Sequence, residues 1–351
     1  MNNVKKIGLS ALAGSLAMVS ANAVDYTMSG GMMITYTTQS AGDASADTAN
    51  GKGLGTATDL AFNASGELDN GYTVAYFMSV DTDNALTNTS AQMTVGMGSL
   101  GTLQFNNEFG SKANAIDDIT PHAYNETWDG LTTGAGTTVA TNNNGSWFGS
   151  STSSGSIDYR IPAQEYAGTT INASYTYDPN AGSGAATKGG VAASNAGSGT
   201  AYTVQIAHES GLEIGAGYED VNDNQGIVLS SGTTRSTGYI KYAAGGLSVA
   251  YQEAYQNGMN GTSTEGADQE ASFMGVAYTA GNLTVSYGES DLAVKAVSNT
   301  VARPTIELES VQAAYTMGAM TVSAAISETS NAGGVQSETY EENTLAVSFA
   351  F

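Results

Sequence analysis

Between Tyr26 and Phe351 the chain alternates apolar with small or polar residues in sixteen separate short segments. Only a strand places every second residue on one face. The segments include YTMSGGMMITY (26–36), LAFNASGEL (60–68), YTVAYFMSV (72–80), AQMTVGMG (91–98) and TLQFNNEF (102–109). They continue through SIDYRI (156–161), TINASYTY (170–177), STGYIKYA (236–243), LSVAYQEAY (247–255) and MTVSAAIS (320–327) to TLAVSFAF (344–351). Beyond residue 23 there is no sustained helical periodicity and no run of 18 apolar residues. An even number of alternating segments is what a closed antiparallel membrane barrel requires. Within TIELESVQAAYT (305–316), Glu309-Ser310-Val311 shifts the alternation and reads as a bulge.

The connections point the same way. Short ones read DNG (69–71), GSLG (98–101), AGG (244–246), AGN (280–282) and MGA (317–319), which is tight-turn chemistry. Long polar ones lie between them, at 39–55, 111–153, 178–200, 221–232, 257–267 and 329–341. Short turns on one rim and long loops on the other are the asymmetry of an outer-membrane barrel, whose short turns are periplasmic. Tyr26 and Tyr36 share a face ten residues apart, with Met28, Met32 and Ile34 between them. At membrane-strand tilt they stand roughly 23 Å apart along the membrane normal, close to the spacing of two aromatic girdles. Tyr72/Tyr76, Tyr175/Tyr177 and Tyr239/Tyr242 also sit towards segment ends.

Both ends of the chain fit this reading. MNNVKKIGLSALAGSLAMVSANA (1–23) has a charged start, a short apolar run and Ala21-Asn22-Ala23, the pattern of a cleaved secretory leader. The barrel then occupies 24–351. At the other end, LAVSFAF sets Leu345, Val347, Phe349 and Phe351 on one face and Ala346, Ser348 and Ala350 on the other. Such a strand must close against the first one, because an open edge cannot persist in hydrocarbon.

Charge narrows the set of partners. The formal net charge is −23, or −25 once Lys5 and Lys6 leave with the leader. That balance repels nucleic acid and anionic headgroups and attracts cations. Charged residues are only 12% of the chain, and cysteine is absent, so no disulfide framework holds the protein in an oxidising compartment.

Leader, sixteen alternating segments, a very long third loop and a terminal phenylalanine together resemble the general porins of Gram-negative outer membranes. The likeness spans essentially all of 24–351. Its most specific piece is GSLGTLQFNNEFG (98–110) with SIDYRIPAQEYAGTTINASYTY (156–177). The resemblance implies a homotrimer of water-filled barrels that pass small hydrophilic solutes and ions, with outer-membrane lipid around it. It also implies insertion by the barrel-assembly machinery, which would read the terminal aromatic, and it implies no cofactor. In that family the loop after the strand matching 102–109 folds into the barrel.

On this reading Asp117, Asp118, Glu126 and Asp129 are candidates for the constriction, with Glu108 at the loop root. The alternative is that these carboxylates only solubilise an external loop. Ile157, Tyr159 and Ile161 share one face, so parity turns Asp158 and Arg160 into the lumen. Arg160 resembles a member of the basic wall that porins set opposite the acidic loop, and Arg235 and Lys241 are the other strand cations placed inside. The early strands instead offer Thr27, Ser29, Thr35, Asn63, Ser65, Glu67, Ser79 and Gln92, with no Lys or Arg. Asp117-Asp118-Ile119-Thr120-Pro121 also stands where the family carries a different proline-bearing acidic motif. The expectation is therefore a net-negative, cation-preferring pore.

Catalysis has few residues to work with. The chain's two histidines are His122, in the long loop, and His208, ahead of Glu209-Ser210. A barrel hydrolase centred on His122 and a secreted acidic β-rich adhesin are the rival readings. The adhesin predicts polar residues on both strand faces, which Val74/Tyr76/Met78/Val80 oppose. Asp220, Asn222 and Asn224 have calcium-loop spacing, but the glycine arrives one place late and no Glu stands at the twelfth position. Turn capping is the simpler role for them.

Overall fold

A computed structural model describes residues 25–41, 51–81, 87–108, 110–127, 148–152, 155–181, 197–222, 233–257, 268–294, 304–332 and 336–351. The leader expected at 1–23 lies outside them. The strands are β1 (Asp25–Ala41), β2 (Gly51–Glu67), β3 (Thr73–Asp81), β4 (Thr87–Gly96), β5 (Thr102–Glu108), β6 (Ile157–Arg160), β7 (Gln164–Tyr166) and β8 (Thr169–Ala181). They continue as β9 (Gly197–His208), β10 (Leu212–Asn222), β11 (Thr233–Ala244), β12 (Leu247–Asn257), β13 (Gln269–Ala280), β14 (Leu283–Val294), β15 (Ile306–Met317), β16 (Met320–Ser330) and β17 (Thr339–Ala350).

Every pairing is antiparallel between neighbours, and β1 pairs with both β2 and β17, so the sheet closes. β6 and β7 are two pieces of one barrel strand, both lying against β8. The break falls at Ile161-Pro162-Ala163, where Pro162 has no N–H to give to the ladder. Counted this way the barrel has 16 strands. Each of the sixteen alternating segments lies on one of them.

Closure uses the last residue. Ile34 faces Val347 in register, Gly30 N–H donates to Phe351 O at 2.7 Å, and Phe351 N–H donates back to Gly30 O at 3.0 Å. Leu345, Phe349 and Phe351 are exposed on the outer face, as parity requires. On the same rim, after β2, Asp69-Asn70-Gly71 makes a tight turn: Gly71 N–H reaches Leu68 O at 2.8 Å, and φ is +80° at Gly71. That is a conformation glycine adopts without strain.

The barrel is greasy outside and polar inside. Tyr26, Met28, Met32, Ile34 and Tyr36 of β1 are all exposed outward, and so are Ile157, Tyr159 and Ile161. Ser290, Ser310, Gln312, Ser323 and Ser327 line the interior. A row of outward carboxylates, Glu289, Glu309, Glu328 and Glu341, runs across β14 to β17 as successive cross-strand neighbours. Like charges directly opposite one another destabilise a sheet, so this row belongs above the hydrocarbon, where water and salt screen it. Tyrosine hydroxyls mark the same level. Tyr287 donates to Glu289, and Tyr251 and Tyr255 donate to the two oxygens of Glu253 at 2.7 and 2.8 Å.

Three readings are corrected by the structure. The bulge expected at Glu309-Ser310-Val311 does not form: β15 keeps an unbroken register with both neighbours, and Glu309 faces outward within the carboxylate row. Register shifts occur instead at Ser79/Val80 and at Asp178/Ala181. Tyr239 is not a girdle residue. It points inward, 6% exposed, and donates to Glu213 Oε1 at 2.6 Å while accepting from Gln205. Finally, β1 and β2 stay paired out to Gln39 and Gly51, so the first hairpin stands taller than its sequence suggests. The stretch Gly51-Lys52-Gly53-Leu54-Gly55 carries no alternating signal, yet its backbone pairs well.

Candidate pore constriction

The third loop enters the barrel. Its root is fixed by Asp158, whose side chain is fully buried. The Asp158 carboxylate accepts from Arg160 Nε at 2.7 Å, from Thr176 Oγ1 at 2.8 Å and from the Lys112 backbone N–H at 3.3 Å. Arg160 also donates to Gly110 O at 3.2 Å. Parity does turn both residues inward, and there they bind the loop's first residues to the wall.

From this root the loop runs along the inner wall. Ala113 and Ile116 pack with Phe148, Ala201 and Tyr239 in a small apolar cluster. Next comes Gln252, completely buried: its Oε1 accepts from Ile119 N–H, and its Nε2 donates to Ile116 O and Asp117 O, all within 2.9–3.0 Å. Ser286 Oγ accepts from Ala123 N–H at 2.9 Å. Gln312 accepts from Tyr124 and Asn125 N–H and donates to Asn125 O at 2.6 Å.

Three inward glycines leave room for this path. A Cβ at Gly275 would lie 2.9 Å from both Thr120 and Pro121, and one at Gly217 or Gly288 would overlap Phe148 or Thr127. The returning limb is held by Glu219, fully buried, which accepts from Gly149 N–H at 3.2 Å and Thr152 Oγ1 at 3.0 Å. Arg235 pairs with Glu219 at 3.1 Å and donates to Gln256 at 2.6 Å.

At the apex, the Tyr124 hydroxyl meets Met33 Sδ of β1 at 3.5 Å. Burial, with a smaller contribution from the Glu342 carboxylate, pushes this hydroxyl above its ordinary pKa. It therefore stays neutral at physiological pH.

Asp117 and Asp118 lie on the inward loop and shape it. Asp117 accepts from Asp118 N–H at 2.8 Å and from Asn114 Nδ2 at 3.3 Å, and Asp118 accepts from the N–H and hydroxyl of Thr120 at 2.7 Å. Glu126 follows Asn125 on the same inward run. Asp129 and Asn224 fall outside the described residues, as does the side chain of Glu108. Lys241 faces inward on β11 with Glu213 as its cross-strand neighbour. Asp220 alternates with inward Glu219, so it takes the outer face, the side chain of Asn222 falls outside the described residues, and among the described residues no group of three ligating side chains could hold a metal.

The histidines are apart from one another. His122 is exposed, with Nδ1 at 3.2 Å from Thr120 O. His208 Nδ1 lies 2.8 Å from Ser210 Oγ and accepts from Ser210 N–H at 3.1 Å, because Ser210 sits in the turn after β9 and not on a strand face. That geometry caps a turn.

Sequence reading missed the residues that seat the loop. Gln252, Gln312 and Glu219 each occupy an inward position by parity, but nothing local marks them as anchors. It also missed two lumenal carboxylates, Asp59 and Asp81. The alternating segments begin at 60 and end at 80, yet Asp59 shares the parity of Asn63 and Ser65, and Asp81 that of Ser79.

A closed 16-stranded barrel, apolar outside, polar inside and narrowed by its own third loop, defines a transmembrane channel of the porin class. The family model for Gram-negative porins matches residues 8–302, and the chain belongs to that family. It is accordingly an outer-membrane protein. No curated protein sequence matches the chain.

Solved structures resemble it in fold. An anion-selective porin from Comamonas acidovorans shares 13% identity over 94% of this chain and 100% of its own, with a TM-score of 0.60. OmpF of Salmonella typhi, in a complex with daunomycin, shares 12% over 93% and 97%, with a TM-score of 0.63. OmpT of Vibrio cholerae lacking loop L8 shares 12% over 94% and 100%, at 0.62. At such identities the likeness concerns the fold alone, and ion preference does not travel with it.

Proposed function

We propose that the protein is a passive diffusion channel for small hydrophilic solutes and ions, cation-preferring, and assembled as a homotrimer. Selection comes from bore and lining charge, with no chemical step. The observation that carries this reading is the loop's path inside the lumen, which brings the carboxylates of Asp117, Asp118 and Glu126 into the barrel. The strand cations support the sign of the preference. Among the described residues, Arg160, Arg235 and Lys241 are the inward ones, and each has a carboxylate beside it: Asp158, Glu219 and Glu213. Their charge is thus offset locally, while the loop adds negative charge to the path. Insertion follows the terminal aromatic Phe351, read by the barrel-assembly machinery.

The zero-current potential across a KCl gradient in a planar bilayer tests the sign. The wild-type channel is expected to reverse on the cation side. Asp117→Asn with Asp118→Asn keeps acceptor oxygens for the loop's turns while removing two charges, and it should move the potential towards chloride. An anion-sided wild-type potential overturns the cation preference. An unmoved potential in the double variant removes these two carboxylates from the selecting step.

A further inference from the structure

The loop narrows the lumen from one side. It is seated on β11 to β15 and reaches past β16 and β17 to β1 through the Tyr124–Met33 contact. The wall it leaves uncovered, formed by β1 to β4 with β16 and β17, borders a cavity of about 650 Å³. Gly31, Met33, Ala57, Thr89, Asp59 and Asp81 are among its lining residues. Thr89 is the extra residue of the β3–β4 bulge, and its hydroxyl donates to Ser79 at 3.0 Å.

Asp59 and Asp81 are direct cross-strand neighbours on the lumenal face of β2 and β3. Such a pair has Cβ atoms about 5 Å apart. On its other side Asp59 faces Gly31, where a Cβ would lie only 2.8 Å from Asp59 Oδ1. The missing side chain at Gly31 is what leaves space for the carboxylate. Gly31 is one two-residue repeat from Met33, so the acidic pair lies about 7 Å along the strand from the apex contact, towards the rim of short turns.

From this geometry we infer that Asp59 and Asp81 are selectivity-determining residues of the pore, a second set of fixed negative charges in series with the loop. The inference rests on the reading of the protein as a diffusion channel. Resemblance to general porins leads one to expect a basic wall facing an acidic loop. Here the two carboxylates on the open wall have the same sign as the loop's. The pore therefore favours cations along its length instead of setting a transverse field across the stream. The apolar lining around the pair, from Met33 and Ala57, focuses its field into the water of the lumen.

Asp59→Asn and Asp81→Asn, singly and together, are compared with wild type by zero-current potential. The local cation concentration beside the pair should fall by about fourfold per carboxylate, the Boltzmann factor for unit charges about 5 Å apart in water, with the cation-to-anion permeability ratio falling at least as far. A second design guards against misfolded variants. The chain has no cysteine, so Asp59→Cys gives one addressable thiol in an open channel. A sulfonate-bearing methanethiosulfonate should restore cation preference, and a trimethylammonium-bearing one should drive the channel towards anions. In each case the thiolate forms a disulfide with the reagent's sulfenyl sulfur and methanesulfinate leaves. A cation-preferring wild type whose potential is untouched by these substitutions and reagents overturns the role of the pair and leaves the channel reading standing. A wild type without cation preference overturns the channel's proposed selectivity itself.

Discussion

The Arg235→Met barrel should be less stable than wild type by about 3–5 kcal/mol, because the change strands a buried charge. Glu219 is fully buried, and its carboxylate is balanced by Arg235 at 3.1 Å. Removing the guanidinium leaves Glu219 with only the Gly149 and Thr152 donors. Adding Glu219→Gln to Arg235→Met should recover most of the loss, since a neutral amide needs no counter-charge and still reaches the same loop groups. Thermal unfolding followed by circular dichroism reads both effects. Equal stability of Arg235→Met and wild type would show that the pair does not fix the returning limb of the loop.

Gln252→Ala with Gln312→Ala should change conduction more than stability. Together the two amides accept three loop N–H groups and donate to three loop carbonyls. A buried backbone group that loses its partner costs about 1–3 kcal/mol. Here the freed groups turn to channel water, so the cost appears as a loop that leaves the wall. Single-channel recordings should then show a broader spread of conductances and more noise within the open level. The strand ladders are untouched, so thermal unfolding should move little. A conductance histogram identical to wild type would mean the apolar cluster around Phe148 and the glycine seats hold the loop unaided.

How much of this was legible from sequence follows from what encodes each feature. Strand number and facing are written in period-two alternation, because lipid outside and water inside impose opposite demands on successive residues. Closure was legible in LAVSFAF for the same reason. The first hairpin's height was not, since Gly51 to Gly55 pair through backbone and carry no face. Glu309 was misread because a carboxylate on the outer face breaks alternation only if the strand is taken to end at the hydrocarbon, and β15 continues above it.

The loop is the hardest case. Asp158 and Arg160 were assigned inward correctly by parity, yet their use as a clamp on Gly110 and Lys112 depends on a chain segment some 50 residues away in sequence. Gln252 and Gln312 look like ordinary lumenal amides until the loop is laid against them. Asp59 and Asp81 escaped notice for a simpler reason: strand ends are the least certain part of any pattern reading, and both stood one residue beyond the assigned bounds.

The central claim is a water-filled passive channel narrowed by its own loop. The most direct measurement is stepwise conductance of the purified protein in a planar bilayer, paired with swelling of liposomes loaded with sugars of increasing size. Discrete, ohmic conductance steps and a swelling rate that falls steeply with sugar size are the predicted result. An inert bilayer, or swelling that ignores solute size, would contradict it.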